Sequence, residues 1–237
     1  IGVVLAFYSV GFVAGTLVGP AIVRQVGHIR TFAAFAALGA ATPLIHAFAV
    51  DPVLWSALRI LTGFAMAVMF TVIESWFNGR APNALRGAVM STYMAVNYSA
   101  YGLSQLLILA ITPASFMLFS VVAILVALSL VPLALAPVET PQVVSVRRLS
   151  LRALIAISPL GVAGCFVVGL INAAFSSMGP VYAQDSLDGG DAVAIVMTVT
   201  ILSGFVLQVP IGRLSDRFDR RQVILGLNIA LTVVSLL

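Results

Sequence analysis

The chain of 237 residues has no lysine, a single cysteine and very little charge of either sign. Asp, Glu and Arg together supply 8% of it, against about a quarter in a soluble domain. So few ionisable groups cannot cover a water-facing globule, and a soluble protein is excluded. No polar stretch between the apolar runs is long enough to form a separate soluble domain. The lone Cys165 leaves no disulfide framework and no cysteine metal site, and its apolar neighbours predict a small buried residue. The first segment has no initiator Met, basic leader or small-residue cleavage pattern, so no signal peptide is expected there. Phosphate loops, nucleotide motifs, metal clusters and nucleophile–base pairs are all lacking. Catalysis therefore has no candidate residues, and neither an enzyme nor a cofactor is expected.

What is present is apolar, at 61% of residues and a mean hydropathy of +1.14, and the little charge is placed in a pattern. All twelve cations are arginines, and eleven fall in four clusters: Arg24 and Arg30; Arg80 and Arg86; Arg147, Arg148 and Arg152; Arg213, Arg217, Arg220 and Arg221. The clusters occupy alternate connections, whereas Asp51 and then Asp185, Asp188 and Asp191 occupy the others. A net charge of +4 distributed in this way marks membrane sidedness, because cationic loops stay cytoplasmic, and it implies no nucleic-acid partner. A crossing helix needs about 20 apolar residues. Eight such segments are predicted, near 1–23, 31–50, 53–77, 88–111, 114–136, 154–178, 191–211 and 222–237. With the first running outside to inside, every arginine except Arg59 lies at the inner face.

Gly11, Gly15 and Gly19 recur at four-residue spacing, a pattern that lets two helix backbones approach closely in lipid. Shifting the chain by 192 residues lays PAIVRQVGHIR, from Pro20, over GRLSDRFDRRQ, from Gly212; Arg24 then falls opposite Asp216 and Gly27 opposite Asp219. Two basic inner connections six helices apart fit a duplicated six-helix unit, a known transporter plan.

GRLSDRFDRR resembles the loop signature of the major facilitator superfamily, Gly-x-Leu-x-Asp-Arg-x-Gly-Arg-Arg. Gly212, Leu214, Asp216, Arg217, Arg220 and Arg221 match, and Asp219 replaces the glycine. The first copy keeps Gly27 and Arg30 but has Arg24 at the acidic position. Arg59-Ile-Leu-Thr-Gly63 looks like that family's fourth-helix arginine motif, and Arg86-Gly87 like the start of its fifth helix. With Glu74, Gly102 to Gln105 and PIGRLSDR, the chain is most similar to the YcaD-like branch of bacterial inner-membrane transporters. The fifth-helix Gly-Pro-x-x-Gly of the drug antiporters is absent, since YGLSQLLILAITP stands there.

The resemblance implies an all-α polytopic fold of two six-helix halves, of which these segments are the second to ninth helices. One helix would precede Ile1 and about three would follow Leu237. Residues 1–136 would form the N-terminal bundle, 137–153 a central cytoplasmic loop and 154–237 the start of the C-terminal bundle. It further implies a monomeric multi-pass protein of the bacterial inner membrane that moves a small organic solute by alternating access, driven by protons. An uncoupled uniporter and a non-transporting membrane sensor are the rival readings.

Several residues are singled out. Asp216 is a gating candidate, pairing with cations in one state and releasing them in the other. Single exposed pairs contribute only about 0–1 kcal/mol, yet a small difference biases two balanced states. Arg217, Arg220 and Arg221 either share that gate or anchor the connection to anionic lipid. Arg59 lies inside its helix, where an ionisable group is expensive and faces a cavity or partner; anion binding, proton coupling and snorkelling to the interface all remain open. Glu74, about 22 Å further along the helix at 1.5 Å per residue, cannot pair with Arg59 and is expected to salt-bridge Arg80, Arg86 or the Arg24 region. Tyr93, Asn97, Tyr101 and Gln105 repeat every four residues and share one helix face. With Asn172, Ser176 and Gln208 they either line a cavity or hydrogen-bond between helices.

Overall fold

The computed structural model describes residues 2–48, 50–82, 85–111, 115–135, 150–186 and 190–236. Among them there is no strand. The helices are α1 (Gly2–Val26), α2 (His28–Phe48), α3 (Pro52–Arg80), α4 (Arg86–Ser104), α5 (Leu107–Ala110), α6 (Phe116–Leu128), α7 (Leu130–Leu135), α8 (Leu151–Ile157), α9 (Pro159–Ser186), α10 (Gly190–Arg217) and α11 (Arg220–Ser235). The eight expected segments appear in order, three of them as two helices each. Among the described residues, five stretches are long and apolar enough to cross a membrane: α1, α2, α3, α6 with α7, and α9.

Local chemistry explains the breaks. Pro132 has no N–H for the carbonyl of Leu128, and the helix is interrupted between α6 and α7 at Ser129. Pro159 pushes Ser158 out of the helical region, to φ −149° and ψ 80°, which divides α8 from α9. Between α4 and α5 the backbone tightens to three-residue bonds, Gln105 N to Gly102 O at 3.2 Å and Leu106 N to Leu103 O at 3.1 Å. At the Asp51-Pro52 turn, the Asp51 carboxylate accepts from Leu54 N at 2.7 Å and Pro52 opens α3.

The inner connections are shorter than expected. The Arg24 region is not a loop: α1 runs through to Val26, and one residue, Gly27 at φ +89°, turns the chain into α2. That left-handed conformation suits glycine, which has no Cβ to clash. The backbone of Gly212–Arg217 likewise belongs to α10, leaving Phe218 and Asp219 as the connection to α11.

Packing is densest among the early helices. α1 lies against α3, and α2 lies across α3 and α6. A core of Val23, Phe32, Ala36, Met69 and Val72 joins α1, α2 and α3 near their arginine-bearing ends. α4 leans on α10, which also contacts α9. Cys165 is exposed on α9, not buried as its neighbours suggested, because the apolar residues around it face outward too.

Candidate functional site

The site begins with glycines. Gly11, Gly15 and Gly19 are buried on one face of α1, and Gly63 and Ala67 face them from α3. A β-carbon on Gly11 would strike the carbonyl oxygen of Ile60, and one on Gly63 the carbonyl oxygen of Tyr8. One on Gly15 would sit 2.7 Å from both Ala67 Cβ and Phe64 O. The expected packed face therefore exists, and its partner is α3. Gly63, read from sequence only as part of the arginine motif, lets α1 approach one turn beyond Arg59.

That approach sets Tyr8 beside Arg59, close enough to interact electrostatically, and Tyr101 of α4 interacts with Tyr8 in turn. Arg59 is half-buried, and its Nε is buried without a hydrogen-bond partner among the described residues. Tyr8 belongs to no motif of the sequence. Its position three residues before Gly11, on the face of the glycine stripe, was the available signal.

A second group lies toward the other end of α3. Tyr93 stands edge-on to Phe77 with ring centroids 5.4 Å apart, within hydrogen-bonding reach of Asn97 and close to Glu74. Phe77, Leu85, Ala88, Val89, Thr92, Tyr93 and Val96 line an apolar cleft of about 450 Å³ between α3 and α4. Glu74 is exposed and forms no ion pair with another described side chain. The side chain of Arg86, its proposed partner, lies outside the described residues, as do those of Asp216, Arg217 and Arg220 and the environment of Gly212.

The remaining candidates are not gathered into one place. Gln105 is half-buried at the end of α4, whereas Asn172, Ser176 and Gln208 are exposed on α9 and α10. What ties α4 to the later helices is a seam near its outer end. Thr198 of α10 donates to the carbonyl of Gly102 at 3.3 Å, and Leu202 closes over the same glycine. Asp219 acquires a role as the N-cap of α11, accepting from Arg221 N at 2.8 Å, so it starts the helix that the signature's glycine would otherwise precede.

Long apolar helices packed through glycine, with a half-buried arginine near a tyrosine of the neighbouring helix, define a polytopic α-helical membrane protein. The whole chain, residues 1–237, matches the family model of the Major Facilitator Superfamily, and the chain belongs to that family. It is similar to proteins described as uncharacterized MFS-type transporter YcaD from Escherichia fergusonii, Escherichia coli O139:H28 and Shigella flexneri serotype 5b. Each is 26% identical over 226 residues, covering 94% of this chain. The chain spans 59% of the length of these relatives. No solved structure matches it.

Proposed function

We propose that the protein is a secondary transporter of the bacterial inner membrane that moves a small organic solute by alternating access, coupled to protons. The observation that carries this is Arg59, a guanidinium half-buried in a 29-residue apolar helix, with Tyr8 beside it and no acidic partner among the described residues. An ionisable group at such a position is kept for a solute or ion pathway, because burying it for packing alone is costly. Sparse charge around the clefts favours neutral, amphipathic or singly anionic solutes over polyions. The seam of Gly102 with Thr198 and Leu202 supplies a contact between the first and second sets of helices, the kind that must form and break as two halves rock. Asp216, with Arg217, Arg220 and Arg221, is the proposed gate at the opposite face, and Glu74 with Arg86 is a separate proposed structural salt bridge at that cytoplasmic face. The protein is taken to work as a monomer.

The test uses full-length protein in proteoliposomes, with solutes chosen by a thermal-shift screen. Flux should follow an imposed pH gradient, and Arg59→Ala should abolish it without loss of folded protein. Flux indifferent to the gradient would leave a uniporter, and absent flux across a broad library would leave a sensor. Normal flux in Arg59→Ala would reduce that residue to a snorkelling anchor.

A further inference from the structure

A row of aromatic rings runs from the level of Arg59 toward the arginine-bearing ends of α1 and α3. Gly11 meets Ile60 and Gly63 meets Tyr8, so Tyr8 and Arg59 stand at one level of the two helices. The Phe12 ring follows Tyr8 with centroids 6.0 Å apart, and Phe70 follows Phe12 at 6.3 Å. Phe70 is eleven residues beyond Arg59, about 16 Å along α3 at 1.5 Å per residue. The three rings therefore make a continuous wall that begins beside the guanidinium. All three are half-buried, so part of each remains open to a solute.

The charge at the head of this row is uncompensated. No acidic side chain among the described residues pairs with Arg59. Asp51 lies eight residues before it, about 12 Å along the axis, and its carboxylate caps α3 at Leu54 N. Glu74 lies about 22 Å the other way, and α1, α2 and α4 contain no acid. The other arginines of α1 to α4 are at the far ends of those helices. The site offers one positive charge, with the Tyr8 hydroxyl next to it as a further donor.

These features select an anion and its shape. Nε of Arg59 is shut in without a partner, so Nη1 and Nη2 are the nitrogens that a solute reaches. They form the planar fork that a carboxylate meets with two parallel hydrogen bonds. A neutral carbonyl or hydroxyl would leave the guanidinium charge unbalanced, and a dianion would bring a second charge with no cation to meet it. Phe12 and Phe70 have no hydrogen bond to offer a sugar or a peptide, so the rest of the solute is apolar.

We propose that Arg59, Tyr8, Phe12 and Phe70 bind a solute with a single carboxylate on an apolar body, the carboxylate on the Arg59 fork and the Tyr8 hydroxyl, the body along Phe12 and Phe70. That such a solute is carried across the membrane rests on the transporter reading above; the binding site does not.

The experiment is isothermal titration calorimetry on full-length protein in lipid nanodiscs, with empty nanodiscs as the blank. At about pH 7.5 carboxyls are ionised and amines protonated. Four probes are compared: phenylpropanoate, which has both carboxylate and ring; phenylpropanol, which lacks the charge; phenylpropylamine, which reverses it; and propanoate, which lacks the ring. Phenylpropanoate should bind about ten-fold or more tightly than each of the others. Arg59→Gln should erase the preference for the acid over the alcohol, and Tyr8→Phe should reduce it about ten-fold. Phe70→Ala should bring phenylpropanoate toward propanoate. Equal or tighter binding of the alcohol or the amine, or acid binding undiminished in Arg59→Gln, overturns the site. If Arg59→Gln yields no folded protein, undiminished acid binding in Tyr8→Phe overturns it instead. Acid-selective binding without phenylpropanoate flux in proteoliposomes overturns its role as cargo and leaves the site standing. Flux of other solutes without acid-selective binding overturns the site and leaves the transporter standing.

Discussion

Gly15→Ala tests whether backbone proximity between α1 and α3 holds the early bundle together. The added β-carbon would lie 2.7 Å from Ala67 Cβ, 2.7 Å from Phe64 O and 3.2 Å from Phe64 Cα. Carbon atoms in contact sit about 3.5–4.0 Å apart, so the two helices must separate by roughly 1 Å. No long side chain is available to turn aside, since two of the three obstacles are backbone atoms and the third is an alanine methyl. A gap of that size forfeits about a quarter to a half of each dispersion contact along the interface, and overpacking of this kind costs about 1–3 kcal/mol. Gly164→Ala is the matched control. It also lies within a helix, but its β-carbon would meet nothing within 4 Å, so it should stabilise by about 1 kcal/mol through helix propensity. Helix propensity favours alanine equally at both positions and cancels, so the two variants should differ by the overpacking cost, about 1–3 kcal/mol, or roughly 5- to 160-fold in the unfolding equilibrium. Reversible unfolding of the full-length protein in mixed micelles reads the difference. Equal stability of the two would refute the claim that the glycine face is required for close approach.

Gly27→Ala places a β-carbon where the backbone is left-handed but the space is empty, so it should cost about 1–2 kcal/mol from conformation alone; Gly27→Asn should cost less, as judged by the same unfolding measurement. Asp219→Ala removes the cap of α11 and should cost about 1 kcal/mol, whereas Asp219→Ser should retain most of it. Hydrogen exchange at the Arg221 amide reports this directly. Gly102→Ala would bring a β-carbon to 2.7 Å from Leu202 Cδ2 and should weaken the α4–α10 seam by about 1–3 kcal/mol. Outer-face cysteine accessibility should rise in that variant and fall again in Gly102→Ala/Leu202→Ala.

Much of this was legible in the residues. A crossing helix closes its own backbone hydrogen bonds and needs only length and apolarity, so eight segments could be counted before any packing was known. Prolines inside such runs were harder to interpret. Pro20, Pro43, Pro180 and Pro210 sit within continuous helices, whereas Pro132 and Pro159 coincide with interruptions. The difference lies in whether neighbouring groups accommodate the lost hydrogen bond, which no local pattern reports. The glycine stripe of α1 was visible, yet its partner was not, because a face of small residues fits any helix of complementary shape. Gly27 and Asp219, aligned by the internal repeat, solve one problem in two ways. The first turns the chain through a left-handed residue, and the second caps the next helix with a carboxylate.

The class of the molecule, the number of its apolar segments, the separation of its arginines from its acids and the motifs of its family are all legible along one dimension, since they depend only on composition and order. Which polar residues meet depends on how the helices pack. Tyr8 comes to Arg59 because glycine lets α1 touch α3, Thr198 closes on Gly102 across nearly a hundred residues of chain, and each histidine finds its tryptophan on the neighbouring helix. The physical reason is that helix faces are selected by shape and by the satisfaction of buried polar atoms, and both are properties of pairs of surfaces.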